Sequence, residues 1–174
     1  MKKILIVIDY QNDFVSGSLG FDAAALLEDG IFHRVQEYRQ AGWDVAFTFD
    51  THFSDYLETR EGRHLPIAHC IEKTDGWRLY GKVASCLKED TPIFLKHTFG
   101  SLALANFLQD KGYTHLEFCG VVSNICVLSN AILAQAALPQ AEISIDSKLI
   151  ASNDPQMQEK ALDILENLHM EIIR

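Results

Sequence analysis

Three residues that together can activate a nucleophile stand where apolar runs give out. Asp9 ends the apolar stretch of ILIVIDYQNDF, Lys96 follows IFL in IFLKHTFG, and Cys126 lies in FCGVVSNICV. A cysteine attacks as its thiolate; a nearby ammonium favours that anion and a carboxylate can take the proton. Each residue alone has a plainer reading: a turn aspartate, a solvated lysine, a core cysteine under a helix. Their joint occurrence at three run ends points instead to a cysteine hydrolase. Cys126 falls where a strand-like run becomes helical. A thiol in the first turn of a helix feels the positive end of the dipole, so a lowered thiol pKa is expected there.

A second group surrounds the segment after FTFDTH: Asp50, His52, Glu61, His64 and His69. Strand alternation puts Asp50 and His52 on one side of their run. Two imidazoles with a carboxylate suit a divalent ion such as zinc, iron or manganese, and would leave positions open for water and substrate. The competing reading is that histidines are common in polar loops.

The elements that must position these groups follow from hydrophobic patterning. Strands are expected at Lys3–Ile8, Asp44–Phe49, Pro92–Leu95, Leu116–Cys119, Glu142–Ile145 and Met170–Ile173. Helices are expected at Ala23–Ala41, Ser101–Lys111, Asn124–Ala137 and Pro155–Leu168. Gly42 and Gly112 fit helix C-terminal glycines, and Ser101 and Asp154 fit N-caps, the latter followed by Pro155. Alternating strands and helices with short joints predict an α/β fold. It is a Rossmann-like three-layer α/β/α arrangement with a mostly parallel six-stranded sheet. In such sheets ligands bind beyond the carboxyl ends of the strands, where Asp9, Lys96 and Cys126 would meet. No GxGxxG follows the first strand, so a dinucleotide site is not supported. The polar, His-rich connection from Asp50 to Gly81 is long enough to expect a functional loop.

The chain has 174 residues, 48% hydrophobic and 22% charged, which predicts one soluble domain over 1–174. A formal charge of −9 argues against a nucleic-acid partner. No apolar run reaches the roughly 18–20 residues that span a bilayer, and the run after Met1-Lys2-Lys3 is broken at Asp9, so no membrane partner and a cytoplasmic location are expected. Cys70, Cys86, Cys119 and Cys126 form no CxxC pair and are read as reduced thiols.

Over nearly its whole length the sequence resembles the isochorismatase-like cysteine hydrolases, and within them the nicotinamidases. IDYQNDF is similar to their D-x-Q-x-D-F opening, FTFDTH to their D-x-H element, LPIAHCIEKTDGW to their P-x-H-C-x-x-G-T-x-G run, and GVVSNICV to the turn bearing the nucleophile. The resemblance implies a catalytic triad of Asp9, Lys96 and Cys126. It also implies metal ligands Asp50, His52 and His69, with Glu61 as a further acidic ligand and Glu58 or His64 as its alternatives. It places a cis peptide at Val121–Val122, an oxyanion hole at the amides of Val122 and Cys126, and Phe14, Phe99 and Val122 beside the substrate. Homo-oligomers are common in the family. Four positions depart from its pattern: Lys73 replaces a glycine, Ser123-Asn124 replace Thr-Asp, and Lys148 replaces a frequent cysteine.

The activity so implied is metal-assisted hydrolysis of a small carboxamide, nicotinamide to nicotinate and ammonia, through a thioester on Cys126. Hydrolysis of another amide, ureido or carbamoyl compound is the alternative within the family. Phosphoryl transfer through Asp9 is disfavoured, because the second aspartate expected two residues on is Gln11. A non-catalytic binding module would not explain a complete Asp/Lys/Cys set.

Overall fold

The structure is a computed structural model describing residues 1–174. Its centre is a six-stranded sheet in the order β3-β2-β1-β4-β5-β6. The strands are β1 (Lys3–Ile8), β2 (Asp44–Asp50), β3 (Ile93–Lys96), β4 (His115–Val121), β5 (Glu142–Ala151) and β6 (Glu171–Ile173). Every adjacent pair is parallel, so the expected mostly parallel sheet is wholly parallel. The chain builds outward from β1 to β3, then returns to place β4 on the other side of β1. That reversal opens a crevice at the carboxyl ends of β1 and β4.

Alternation along the strands divides the apolar side chains between two cores. Leu5, Val7, Val45, Phe47 and Phe49 pack beneath the helix Glu28–Gln40. Ile4, Ile6, Ile8 and Ala46 face the helices Leu102–Lys111, Leu128–Ala137 and Pro155–Asn167. Thr48 and Asp50 lie in phase with Ala46, and Lys96 with Phe94, which packs against this second core. Cys126 belongs to the same core. Strand phase alone therefore turns these polar groups toward the nucleophile's side of the sheet.

The helix expected at Ala23–Ala41 is divided into a short turn, Asp22–Ala25, and the helix Glu28–Gln40. The Tyr10 hydroxyl donates to the Ala24 carbonyl at 2.7 Å, the carbonyl on which a continuous helix would bond the Glu28 amide. Strand β5 runs beyond its expected end because it bulges: Phe118 pairs with Ile145, but Gly120 pairs with Ile150. The expected helix from Asn124 begins as a π-helical turn, Ser123–Val127, and becomes α-helical at Leu128. Both predicted N-caps hold, with Ser101 Oγ accepting the Leu104 amide at 3.1 Å and Asp154 Oδ1 accepting the Gln156 amide at 2.9 Å. Gly42 and Gly112 take positive φ at the helix ends.

The long connection is ordered. It contains a 3-10 turn at Tyr56–Glu58 and the helix Arg60–His64, and is pinned by bridges from His52 to Ile71 and from Gln11 to Leu79. No helix is long and apolar enough to cross a membrane.

Candidate active site

The carboxyl ends of β1, β2 and β3 bring Asp9, Asp50 and Lys96 together, and the turn after β4 brings Cys126. Asp50 and Lys96 are register partners on adjacent strands. The Lys96 ammonium lies 2.6 Å from Asp9 Oδ2 and 3.1 Å from both Asp50 Oδ1 and the Thr98 carbonyl. Cys126 Sγ is its most distant partner, at 3.5 Å. Three ammonium protons thus face four acceptors, and the sulfur competes with oxygen for one of them. All four side chains are buried.

Thr48, a lone hydroxyl in the apolar run VAFTFD, fixes the base. Its Oγ1 donates to Asp9 Oδ1 at 2.6 Å and accepts the Asp9 amide at 3.2 Å. Asp9 itself has a φ of 44°, which turns the chain sharply out of β1. Behind it β4 passes so close to β1 that a Cβ on Gly120 would lie 2.1 Å from the Ile8 carbonyl oxygen. Gly120 also has a φ of 108°, so both space and backbone require glycine there. The peptide between Val121 and Val122 is cis. The Val122 carbonyl then receives the amides of Ile125 and Val127 at 3.1 and 3.2 Å.

Electrostatics correct one expectation. The Cys126 thiol is pushed well above its ordinary pKa rather than lowered. Burial is the main cause; Lys96 opposes it, while the charges of Asp9 and Asp50 add to it. The resting sulfur is therefore a thiol. Asp9 is also raised, by burial and the Asp50 charge against the pull of Lys96, which suits it to accept a proton. Burial works against the Lys96 charge, but the carboxylates of Asp9 and Asp50 outweigh it and hold the ammonium protonated. Asp50 remains ionised well below the usual carboxylate range despite burial, because Lys96, His52 and His69 surround it.

Asp50 also joins the two sets of residues. While its Oδ1 faces Lys96, its Oδ2 lies 3.1 Å from His52 Nε2 and 3.4 Å from His69 Nε2. Glu61 Oε1 stands 3.7 and 3.8 Å from the same two nitrogens. One ligand atom from each of Asp50, His52, Glu61 and His69 lies within 4.8 Å of all the others. The Ile67 carbonyl pairs with His69 Nδ1 at 2.8 Å, which holds the proton there and turns the Nε2 lone pair toward the cluster. Two nitrogens and two carboxylate oxygens fit a divalent ion of the zinc, iron or manganese type. Glu61 is the acid brought to this cluster; Glu58 and His64 are exposed outside it.

A cavity of about 220 Å³ opens over Cys126, Asp50, Glu61 and His69. Phe14, Phe99 and Val122 line it. Leu19, Phe21, Leu65 and Ile125 also line it and carried no sequence signal, since their apolar character reads equally well as core; the polar Asn153 completes the lining. Phe14 meets the His69 ring edge-on at 5.5 Å between centroids. Of the departing positions, Ser123 is buried with no partner for its hydroxyl, and Asn124 Oδ1 accepts the Ser152 hydroxyl at 2.8 Å. Lys148 is exposed on the bulge of β5, outside the cavity lining.

Comparison with known proteins agrees with this geometry. The Isochorismatase domain model matches residues 3–174. An uncharacterized isochorismatase family protein PncA of Bacillus subtilis strain 168 is 32% identical over 143 residues, covering 76% of this chain and 78% of its own. The crystal structure of nicotinamidase/pyrazinamidase PncA from Bacillus subtilis superposes with a TM-score of 0.90 at 30% identity, covering both chains fully. A pyrazinamidase of Pyrococcus horikoshii in complex with zinc has the same fold, with a TM-score of 0.87 at 23% identity over 100% of this chain and 99% of its own. With its ordered motifs, its sheet and its full-length match in agreement, the chain belongs to the isochorismatase family.

Proposed function

We propose that this isochorismatase-family hydrolase cleaves a small aromatic carboxamide, nicotinamide to nicotinate and ammonia, with Asp9, Lys96 and Cys126 as its catalytic residues over the whole domain 1–174. The observation that carries the reading is the placement of Cys126 Sγ. It sits 3.5 Å from the Lys96 ammonium at the floor of a mostly apolar cavity whose other wall is the Asp50/Glu61/His69 cluster.

In this scheme Asp9 accepts the thiol proton as the sulfur bonds to the carboxamide carbon. The Lys96 charge stabilises the anion that forms. The amides of Val122 and Cys126 receive the developing oxyanion; one such donor is worth about 10²–10³ in rate. Asp9 then returns its proton to the departing nitrogen as the C–N bond breaks, leaving ammonia and a thioester on Cys126. Water adds to the thioester with Asp9 again taking a proton, and the carboxylic acid leaves as the thiol is restored. Phe14, Phe99 and Val122 flank the flat ring. Asp50, His52, His69 and Glu61 would hold a divalent ion, zinc foremost, which supplies Lewis acidity for orienting the ring nitrogen and water.

All four cysteines are free thiols, in keeping with a reducing cytoplasm. Exposed Ile93 and Leu95 on the edge strand β3 support a homo-oligomer. Ammonia release from nicotinamide, ureido and carbamoyl compounds, with metal analysis of the same sample, tests the assignment. Nicotinamide should give the highest kcat/KM on a protein carrying about one divalent ion per chain. Preference for a carbamoyl compound would move the activity elsewhere in the family.

A further inference from the structure

At the opposite end of the sheet lies a larger cleft, of about 480 Å³. It is built where β1, β2 and β3 begin, about 20 Å along β2 from Asp50 at 3.3 Å per residue. Lys2, Arg39, Lys88 and Lys111 line it. The whole chain has fifteen Lys and Arg and a net charge of −9, so carboxylates are plentiful. Six of the fifteen form ion pairs: Arg34, Lys73, Arg78, Lys82, Lys96 and Arg174. None of the four in the cleft does.

The positions of Lys2, Lys111 and Arg39 are instead set by neutral partners, which fix a cation without cancelling its charge, and Lys88 joins them on the lining. Lys2 Nζ donates to the Lys111 carbonyl at 3.1 Å and lies 4.5 Å from the centre of the Tyr113 ring. Lys111 Nζ stands 5.6 Å from the Phe107 ring centre. Arg39 donates to the Cys86 carbonyl and to Thr91 Oγ1, the latter at 3.3 Å. Two carboxylates share the lining, Asp44 and Asp90; Asp44 already accepts the Tyr113 hydroxyl at 2.8 Å. Four cations against two anions leave the cleft positive on a strongly negative protein.

We propose that this cleft is an anion-binding site for a small phosphorylated molecule, whose phosphate is held among Lys2, Arg39, Lys88 and Lys111. A phosphate monoester carries a charge of about −1.5 to −2 near pH 7, close to the cleft's surplus, whereas a monocarboxylate supplies less. Arginine offers a planar fork to phosphate oxygens and lysine a movable point charge. The site lies apart from Cys126, so it is independent of the amide chemistry proposed above.

Inorganic pyrophosphate is the probe, titrated calorimetrically and by thermal unfolding against sodium chloride of equal ionic strength. Saturable binding is expected, with Tm rising by about 3–6 °C at ten times Kd. Replacing Lys88→Glu together with Lys111→Glu should weaken binding at least tenfold while ammonia release stays at the wild-type rate. Lys88→Gln with Lys111→Gln serves as the milder pair if charge reversal prevents folding. No saturable binding beyond the chloride control overturns the proposal. So does pyrophosphate affinity unchanged in the folded double variant, which would place binding outside this cleft.

Discussion

Gln11 grips the main chain of Asp50 on both sides. Its Oε1 accepts the Asp50 amide at 2.8 Å, and its Nε2 donates to the Asp50 carbonyl at 2.9 Å and to the Trp77 carbonyl at 2.7 Å. Gln11 is fully buried, so these bonds face no competition from water. Through them the turn after β1, which carries Asp9, sets the height of the carboxylate that serves both Lys96 and the two histidines. Gln11→Ala would leave buried backbone groups unpaired, at a cost of about 1–3 kcal/mol. It should also weaken divalent-ion binding by about 10–100-fold, as loss of an orienting partner does. Competition titration against a chromophoric chelator measures this; an unchanged metal Kd in a folded variant would show that the grip is only structural.

The raised pKa of Asp9 sets the acid side of the pH profile. Its base form is the one that takes the thiol proton, so kcat/KM should fall as pH drops through the raised value. The acid limb should therefore lie above the 3.8 of an ordinary aspartate. Asp9→Asn should lower kcat/KM by about 10²–10⁴ and remove that limb. An acid limb at or below the ordinary value would refute the assignment of Asp9 as the base.

Cys126 should behave as a thiol with a high pKa. Its raised value predicts slow alkylation by iodoacetamide at pH 7, increasing about tenfold per pH unit up to pH 9 without a plateau. Peptide mapping separates it from the other cysteines, all of which are buried. A plateau below pH 8 would mean that the sulfur rests as a thiolate and that Asp9 has no proton to remove.

Lys73 stands where the family pattern has glycine, with a φ of 66°. Its side chain is 83% exposed and its only ion pair, with Glu72 at 3.6 Å, is at the surface. A left-handed conformation costs a non-glycine residue about 1–2 kcal/mol, and glycine returns part of that gain as chain entropy. Lys73→Gly should therefore stabilise the protein by about 0.5–1 kcal/mol, read as a higher urea midpoint at unchanged m. A lower midpoint would contradict this account of the turn.

Much of the sheet was legible because buried parallel strands are nearly continuous apolar runs, and Asp9, Asp50 and Lys96 mark where those runs meet the crevice. The division at Leu26-Leu27 was not, because it depends on a hydroxyl from Tyr10 that is distant in sequence. The bulge in β5 was hidden for a similar reason: it answers the register of β4, not a local pattern. Glu61 could be grouped with His52 and His69 by chemistry, but choosing it over Glu58 or His64 required the fold of the connecting loop. The Cys126 pKa was misjudged since local helix position suggested an anion, whereas the surrounding burial and carboxylates decide otherwise. Thr48 and Gln11 were visible as polar residues in apolar or motif-bearing segments; only the structure shows what they hold.

Covalent attack by Cys126 is the central step, and rapid-quench intact-mass analysis tests it most directly. Wild-type protein mixed with nicotinamide and stopped in acid within the first turnover should carry a nicotinoyl group, mapped to Cys126 by peptide analysis. Cys126→Ala should bind the amide, form no adduct and release no ammonia. Ammonia appearing in the first turnover without an adduct, together with near wild-type turnover by Cys126→Ala, would contradict the account.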